Sequence, residues 1–144
     1  MRILGTGLKE YVRREAEQRL GFLTGAGFKL QESEVTPNGA RVLFTSDSFA
    51  VDISYEERDE AVFIAVVRLV DGRKPDYRRY ANTHWEYLQA LIERRDPSVR
   101  GRDVLPTRVT TKREAANLLA IAARELEALL PDLLMEAGAQ RPDG

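Results

Sequence analysis

The chain has 144 residues, 43% of them hydrophobic and 31% charged, with a net charge of −1 and no cysteine. This is the size and balance of one ordinary globular domain with enough apolar surface for a core, and it excludes a disordered chain. The absence of thiols excludes disulfides, thiolate metal sites and cysteine nucleophiles, and the longest strongly apolar run, residues 61–67, is far short of the ~20 residues that span a bilayer.

The first predicted element is a helix over residues 8–23. Leu8, Val12, Ala16, Leu20 and Leu23 recur at spacings of three and four and form one apolar stripe. Thr6 is the candidate cap, and Gly25 and Gly27 supply left-handed positions that end helices. Four strands are expected next, over residues 28–35, 40–46, 49–56 and 61–70. Pro37-Asn38-Gly39 makes the first turn, because proline fixes its own φ while Asn and Gly tolerate positive φ. The third strand alternates strictly. Phe49, Val51, Ile53 and Tyr55 share one face, and Ala50, Asp52, Ser54 and Glu56 share the other, which predicts one buried and one wet face. The charged turn Glu57-Arg58-Asp59-Glu60 leads to a fourth strand that is apolar on both sides, so its second face should be covered too.

A second helix is expected from the Asp76 cap to residue 95, with Tyr77, Tyr80, Ala81, His84, Leu88, Leu91 and Ile92 inward. Arg94 and Arg95 complement its C-terminal dipole, and Asp96-Pro97 stops it. After an Arg-rich loop, Thr111-Lys112-Arg113-Glu114 has the capping-box pattern that opens a helix. That helix should run towards residue 136, with a kink or break near Leu130 because Pro131 removes a backbone bond. The expected fold is α+β: an N-terminal helix, a four-stranded antiparallel meander and two C-terminal helices. Residues 1–138 form one domain and residues 139–144 a frayed tail, with the first helix across the apolar face of the sheet.

No catalytic constellation emerges from the residues. One His and no Cys leave no ordinary zinc site, the acidic cluster at 56–60 reads as a hairpin turn, and no residue pattern calls for a metal or cofactor. Gly5-Thr6-Gly7 and Gly25-Ala26-Gly27 are helix punctuation without a complete phosphate-binding pattern. His84 lacks a motif-set partner. Asp52 and Glu56 lie roughly 13 Å apart at ~3.4 Å per residue, too far for a proton-sharing dyad. The N-terminus has no signal-peptide-like apolar stretch, so the chain reads as cytoplasmic. The lack of a catalytic constellation leans against an enzyme, with a small-molecule reaction in a sheet–helix cleft and His84 as base the third reading.

Charge is unevenly spread. Residues 27–60 have a net charge of −5, residues 68–113 a net of +6 and residues 114–144 a net of −4. The acidic strand face around Asp52, Ser54 and Glu56 is a candidate surface for a basic protein partner. The basic stretch offers a second reading. Arg73, Lys74, Arg78, Arg79, Arg94, Arg95, Arg100, Arg102 and Arg108 are interleaved with Tyr77, Tyr80, Trp85 and Tyr87. Arginine for phosphates and aromatics for bases is how single-stranded nucleic acid is often held. The apolar residues of the last helix spread over more than one stripe, which points to core packing on one side and a homodimer contact on the other.

The order helix, Gly27-Phe28, Pro37-Asn38-Gly39 and a meander of short acidic strands resembles small bacterial immunity-like proteins of toxin–antitoxin and polymorphic-toxin systems. The resemblance covers about residues 8–70 and carries over no catalytic or binding residue. It implies a protein that works by covering a partner's active surface through charge complementarity. The expected function is therefore a protein-binding module with Asp52, Ser54 and Glu56 in its surface. The alternative is a nucleic-acid binder that uses the Arg-rich region 73–108, with Arg73, Arg78 and Arg79 among its binding residues.

Overall fold

A computed structural model describes residues 4–69 and 85–140. Helix α1 (Leu4–Arg19) is followed by a 3₁₀ segment (Gly21–Ala26). Thr6 therefore lies inside the helix rather than at its cap. The predicted single helix over 8–23 divides at Leu20, whose φ of −98° and ψ of 8° leave helical geometry just before the poor helix former Gly21. Gly27 closes the segment at φ 96°, and its N–H reaches the Leu23 and Thr24 carbonyls.

Five strands follow: β1 (Lys29–Thr36), β2 (Gly39–Thr45), β3 (Phe49–Glu56), β4 (Ala61–Arg68) and β5 (Trp85–Tyr87). They form one antiparallel sheet in the order β1-β2-β3-β4-β5. The expected four-stranded meander is thus five-stranded. Trp85–Tyr87, read as helix from the spacing of Leu88, Leu91 and Ile92, instead pairs with β4, placing Trp85 opposite Val67 and Tyr87 opposite Ala65. Aromatic residues are at home in strands, and three residues are too few to show a period of two. The preceding part of the predicted helix, including Asp76, Tyr77, Tyr80, Ala81 and His84, lies outside the described residues.

Gly39 sits opposite Glu56 where the β1–β2 turn meets β3, and a β-carbon there would overlap the Tyr55 carbonyl. This close approach of two backbones requires glycine. β4 is covered along its outer edge at both ends. β5 pairs with residues 65–67, while Val62 N–H donates to the Thr107 carbonyl and Val109 N–H to the Glu60 carbonyl, each at 2.8 Å.

Helix α2 (Leu88–Arg95), one helical turn α3 (Gly101–Val104) inside the Arg-rich loop, and the long helix α4 (Lys112–Gln140) complete the order. Glu114 N–H donates to Thr111 Oγ1 at 3.1 Å, while the Glu114 carboxylate accepts the Thr110 N–H at 2.7 Å. The capping box forms with its return bond displaced by one residue. α4 runs through Pro131 without the expected break. Pro131 and Glu127, whose carbonyl loses its partner, are both exposed, so the freed acceptor lies on the solvent side of the helix. On the inner side, Leu126, Leu129, Leu130 and Leu133 are buried on both sides of the proline and hold the helix together.

One core joins these elements. Val42, Phe44, Val51, Ile53, Ile64 and Val66 come from one face of the sheet. Val12, Ala16 and Leu20 of α1, Leu88, Leu91 and Ile92 of α2, and Leu118, Leu119, Ala122 and Leu126 of α4 pack into the same cluster. All the long helices thus cover the same side. Arg68 pairs with Glu136 at 2.7 Å and Arg94 with Glu86 at 3.1 Å, tying the end of α4 and α2 to β4 and β5. No helix among the described residues is long and apolar enough to cross a membrane.

Candidate functional site on the outer sheet face

The face of the sheet turned away from the helices has two halves. Register places Leu43, Asp52, Ala65 and Tyr87 in one cross-strand row, and Arg41, Ser54 and Phe63 in the next. At one end Leu43, Ala50, Ala65 and Val67 form a second buried cluster, with Leu69 and Trp85 packed against it. The expectation of a wholly wet face is therefore corrected. Ala50 is fully buried and Asp52 is only 7% exposed. The fifth strand is part of the reason, because it brings Trp85 across to this end of the face.

At the other end the face opens into a hollow of about 370 Å³. Its polar lining includes Arg41, Asp52, Ser54 and Glu56, and its apolar lining includes Phe63, Ala65, Trp85 and Tyr87. Asp52, Ser54 and Glu56 come together here, as β3 alternation places them. Residue spacing points to neither Arg41 nor Phe63, and it assigns Tyr87 to the basic stretch rather than to this face. Arg41 and Phe63 could have been found by pairing the meander, since both stand opposite Ser54. Tyr87 needed the fifth strand.

The electrostatics of the hollow are specific. Arg41 donates to Asp52 Oδ2 at 3.0 Å and lies 3.8 Å from Glu32. The bond to Asp52 raises the Arg41 guanidinium above its ordinary value; burial opposes this, and Glu32 and Glu34 add to it. One cation therefore stands among Asp52, Glu32 and Glu34 and is engaged by them. Ser54 Oγ donates to Glu56 Oε2 at 2.7 Å, which orients that carboxylate. Glu56 makes no ion pair with any described residue. The Phe63 and Tyr87 rings lie 6.2 Å apart at 49°, and Tyr87 is 53% exposed. The hollow thus combines an oriented carboxylate with an accessible aromatic pair, on strands held from behind by the core.

A second hollow of about 470 Å³ lies between α2, the loop after it and α4, bordered by Arg95, Asp96, Val99 and Glu125. Its charges are of both signs and it has no aromatic wall. Arg95, Arg100, Arg102 and Arg108 are exposed. Arg94 is engaged by Glu86. Trp85 and Tyr87 line the acidic hollow. Arg73, Lys74, Arg78 and Arg79 lie outside the described residues. Among the described residues no group of three or more His, Cys, Asp or Glu side chains is arranged to hold a metal ion. No protein-family model, no curated protein and no solved structure matches this chain.

Proposed function

We propose that this chain is a non-enzymatic protein-binding module, working in the cytoplasm in the manner of an immunity-like protein, with its outer sheet face as the interface. One observation carries the reading. The face opposite the helices opens a hollow whose lining includes both an exposed aromatic residue, Tyr87, and the carboxylate of Glu56. Exposed aromatics beside charge are the usual anchors of protein interfaces. The strands beneath them are fixed by the core, so little ordering is lost on binding.

The side chain to test is Glu56. Asp52 is buried and bonded to Arg41, so reversing its charge would disturb the fold along with the surface. Tagged wild-type protein and the Glu56→Lys variant are used to capture partners from native lysate, with and without nuclease. A stoichiometric protein that survives nuclease and is lost with Glu56→Lys supports the reading. A partner held equally by both removes this face as the interface. Recovery of nucleic acid, released by salt as counterion release requires, would move the function to the Arg-rich stretch. Self-association through α4 is the secondary proposal, resting on Leu134 and Met135, which are 43% and 74% exposed. A monomeric mass by light scattering at high micromolar concentration would end it.

A further inference from the structure

We infer that the hollow receives a basic side chain, lysine or arginine, of the protein partner, with its charge on Glu56 and its stem against Tyr87 and Phe63. This rests on the protein-binding reading and names the chemistry of what enters. Charge complementarity argues for it first. Among the described residues around the hollow, Glu32, Glu34, Asp52 and Glu56 outnumber the cation Arg41, which bonds to Asp52 and lies near Glu32. Among these residues the surplus is negative. Glu56, fixed by Ser54, is a carboxylate of that group with no ion pair among the described residues.

The aromatic wall argues for it independently. Register places Phe63 opposite Ser54 and Tyr87 opposite Ala65, so both rings stand on the same face as Glu56. Phe63 is the diagonal neighbour of Glu56 across the β3–β4 ladder, within reach of long side chains. A cation within about 6 Å of a ring centroid is attracted by the ring's quadrupole, and the aliphatic stem of Lys or Arg covers apolar surface behind the charged head. A neutral apolar side chain would satisfy the rings but bury Glu56 without compensation. An acidic one would be repelled. At about 370 Å³ the hollow is near the lower end of the ~300–1,000 Å³ usual for binding cavities, room for one such side chain and part of its backbone.

Trp85 is the chain's single tryptophan and lines the hollow, so its emission reports occupancy directly. The full chain is titrated with Nα-acetyl-lysine amide, Nα-acetyl-arginine amide and the uncharged Nα-acetyl-norleucine amide. Amide shifts in two-dimensional NMR locate the response. The expected result is a saturable millimolar response to both cations, centred on Ser54, Glu56, Phe63 and Tyr87, and little response to the norleucine amide. Glu56→Gln, which keeps an acceptor for Ser54, should weaken the cations roughly threefold or more. Tyr87→Leu should weaken them roughly twofold or more. Equal responses to the charged and uncharged probes, or a Glu56→Gln titration identical to wild type, would overturn the inference. A captured partner that needs Glu56, together with silent cation probes, would overturn it while leaving the protein-binding reading in place. Cation binding without any Glu56-dependent protein partner would overturn both in favour of a free organic amine.

Discussion

The two faces of the sheet are made by the same strands, yet they are built for different ends. On the helix side, Val42, Phe44, Val51, Ile53, Ile64 and Val66 are all buried in one cluster with α1, α2 and α4. On the outer side, alternate residues of those strands divide into a dry half at Leu43, Ala50, Ala65 and Val67 and an open half at Arg41, Ser54, Glu56 and Phe63. The first face stabilises the fold. The dry half of the second holds Trp85 in place, and the open half is left with charges and rings that the fold itself does not need. A carboxylate and an exposed tyrosine on a rigid sheet contribute little to folding and much to recognition.

This division can be broken most visibly from the core side. Phe44→Ala should cost about 3–5 kcal/mol by chemical denaturation, since it removes a fully buried ring from a packed cluster. Leu43→Ala, one residue away but in the smaller outer cluster, should cost nearer the low end of the ~2–5 kcal/mol seen for such changes. Equal losses at the two positions would mean the outer cluster is as much a core as the inner one. Arg41→Ala removes the guanidinium bonded to the buried Asp52 and should cost about 1–3 kcal/mol. Glu56→Gln should change stability by no more than about 0.5 kcal/mol, which sets the open half apart from everything beneath it.

The smallest effect lies at the start of α4. The N–H and hydroxyl of Thr110 hold the exposed Glu114 carboxyl below its ordinary value of 4.5. A carboxylate lowered in the folded state stabilises it above the ordinary value and loses that contribution as pH falls through the folded one. The stability difference between wild type and Glu114→Gln, measured by melting at a series of pH values, should therefore be largest near neutrality and vanish in acid. A difference independent of pH would show that the carboxylate charge plays no part in the cap.

How much of this was legible in the sequence follows from the range of each signal. The β1–β4 meander and the grouping of Asp52, Ser54 and Glu56 rest on local alternation and turn chemistry, and both are present in the fold. The burial of Ala50 and Asp52 was not legible, because it depends on covering residues distant in sequence. β5 was hidden for a related reason. Three residues joined directly to a helix carry no period of their own, and their strand character comes from pairing with β4, some twenty residues earlier in the chain. Pro131 marks a helix interruption in isolation, but buried leucines on both sides of it outweigh one lost bond on a solvated face. The aromatic half of the hollow was therefore beyond reach of residue spacing alone, while its acidic half was not.

The measurement closest to the central claim is amide hydrogen exchange of the full chain with and without its captured partner. New protection is expected at Ser54, Glu56, Phe63 and Tyr87, with the exposed side of α4 unchanged. Protection centred instead on Arg95, Arg100 and Arg102, with the β3 and β5 amides unaltered, would contradict it and place the interface on the basic surface.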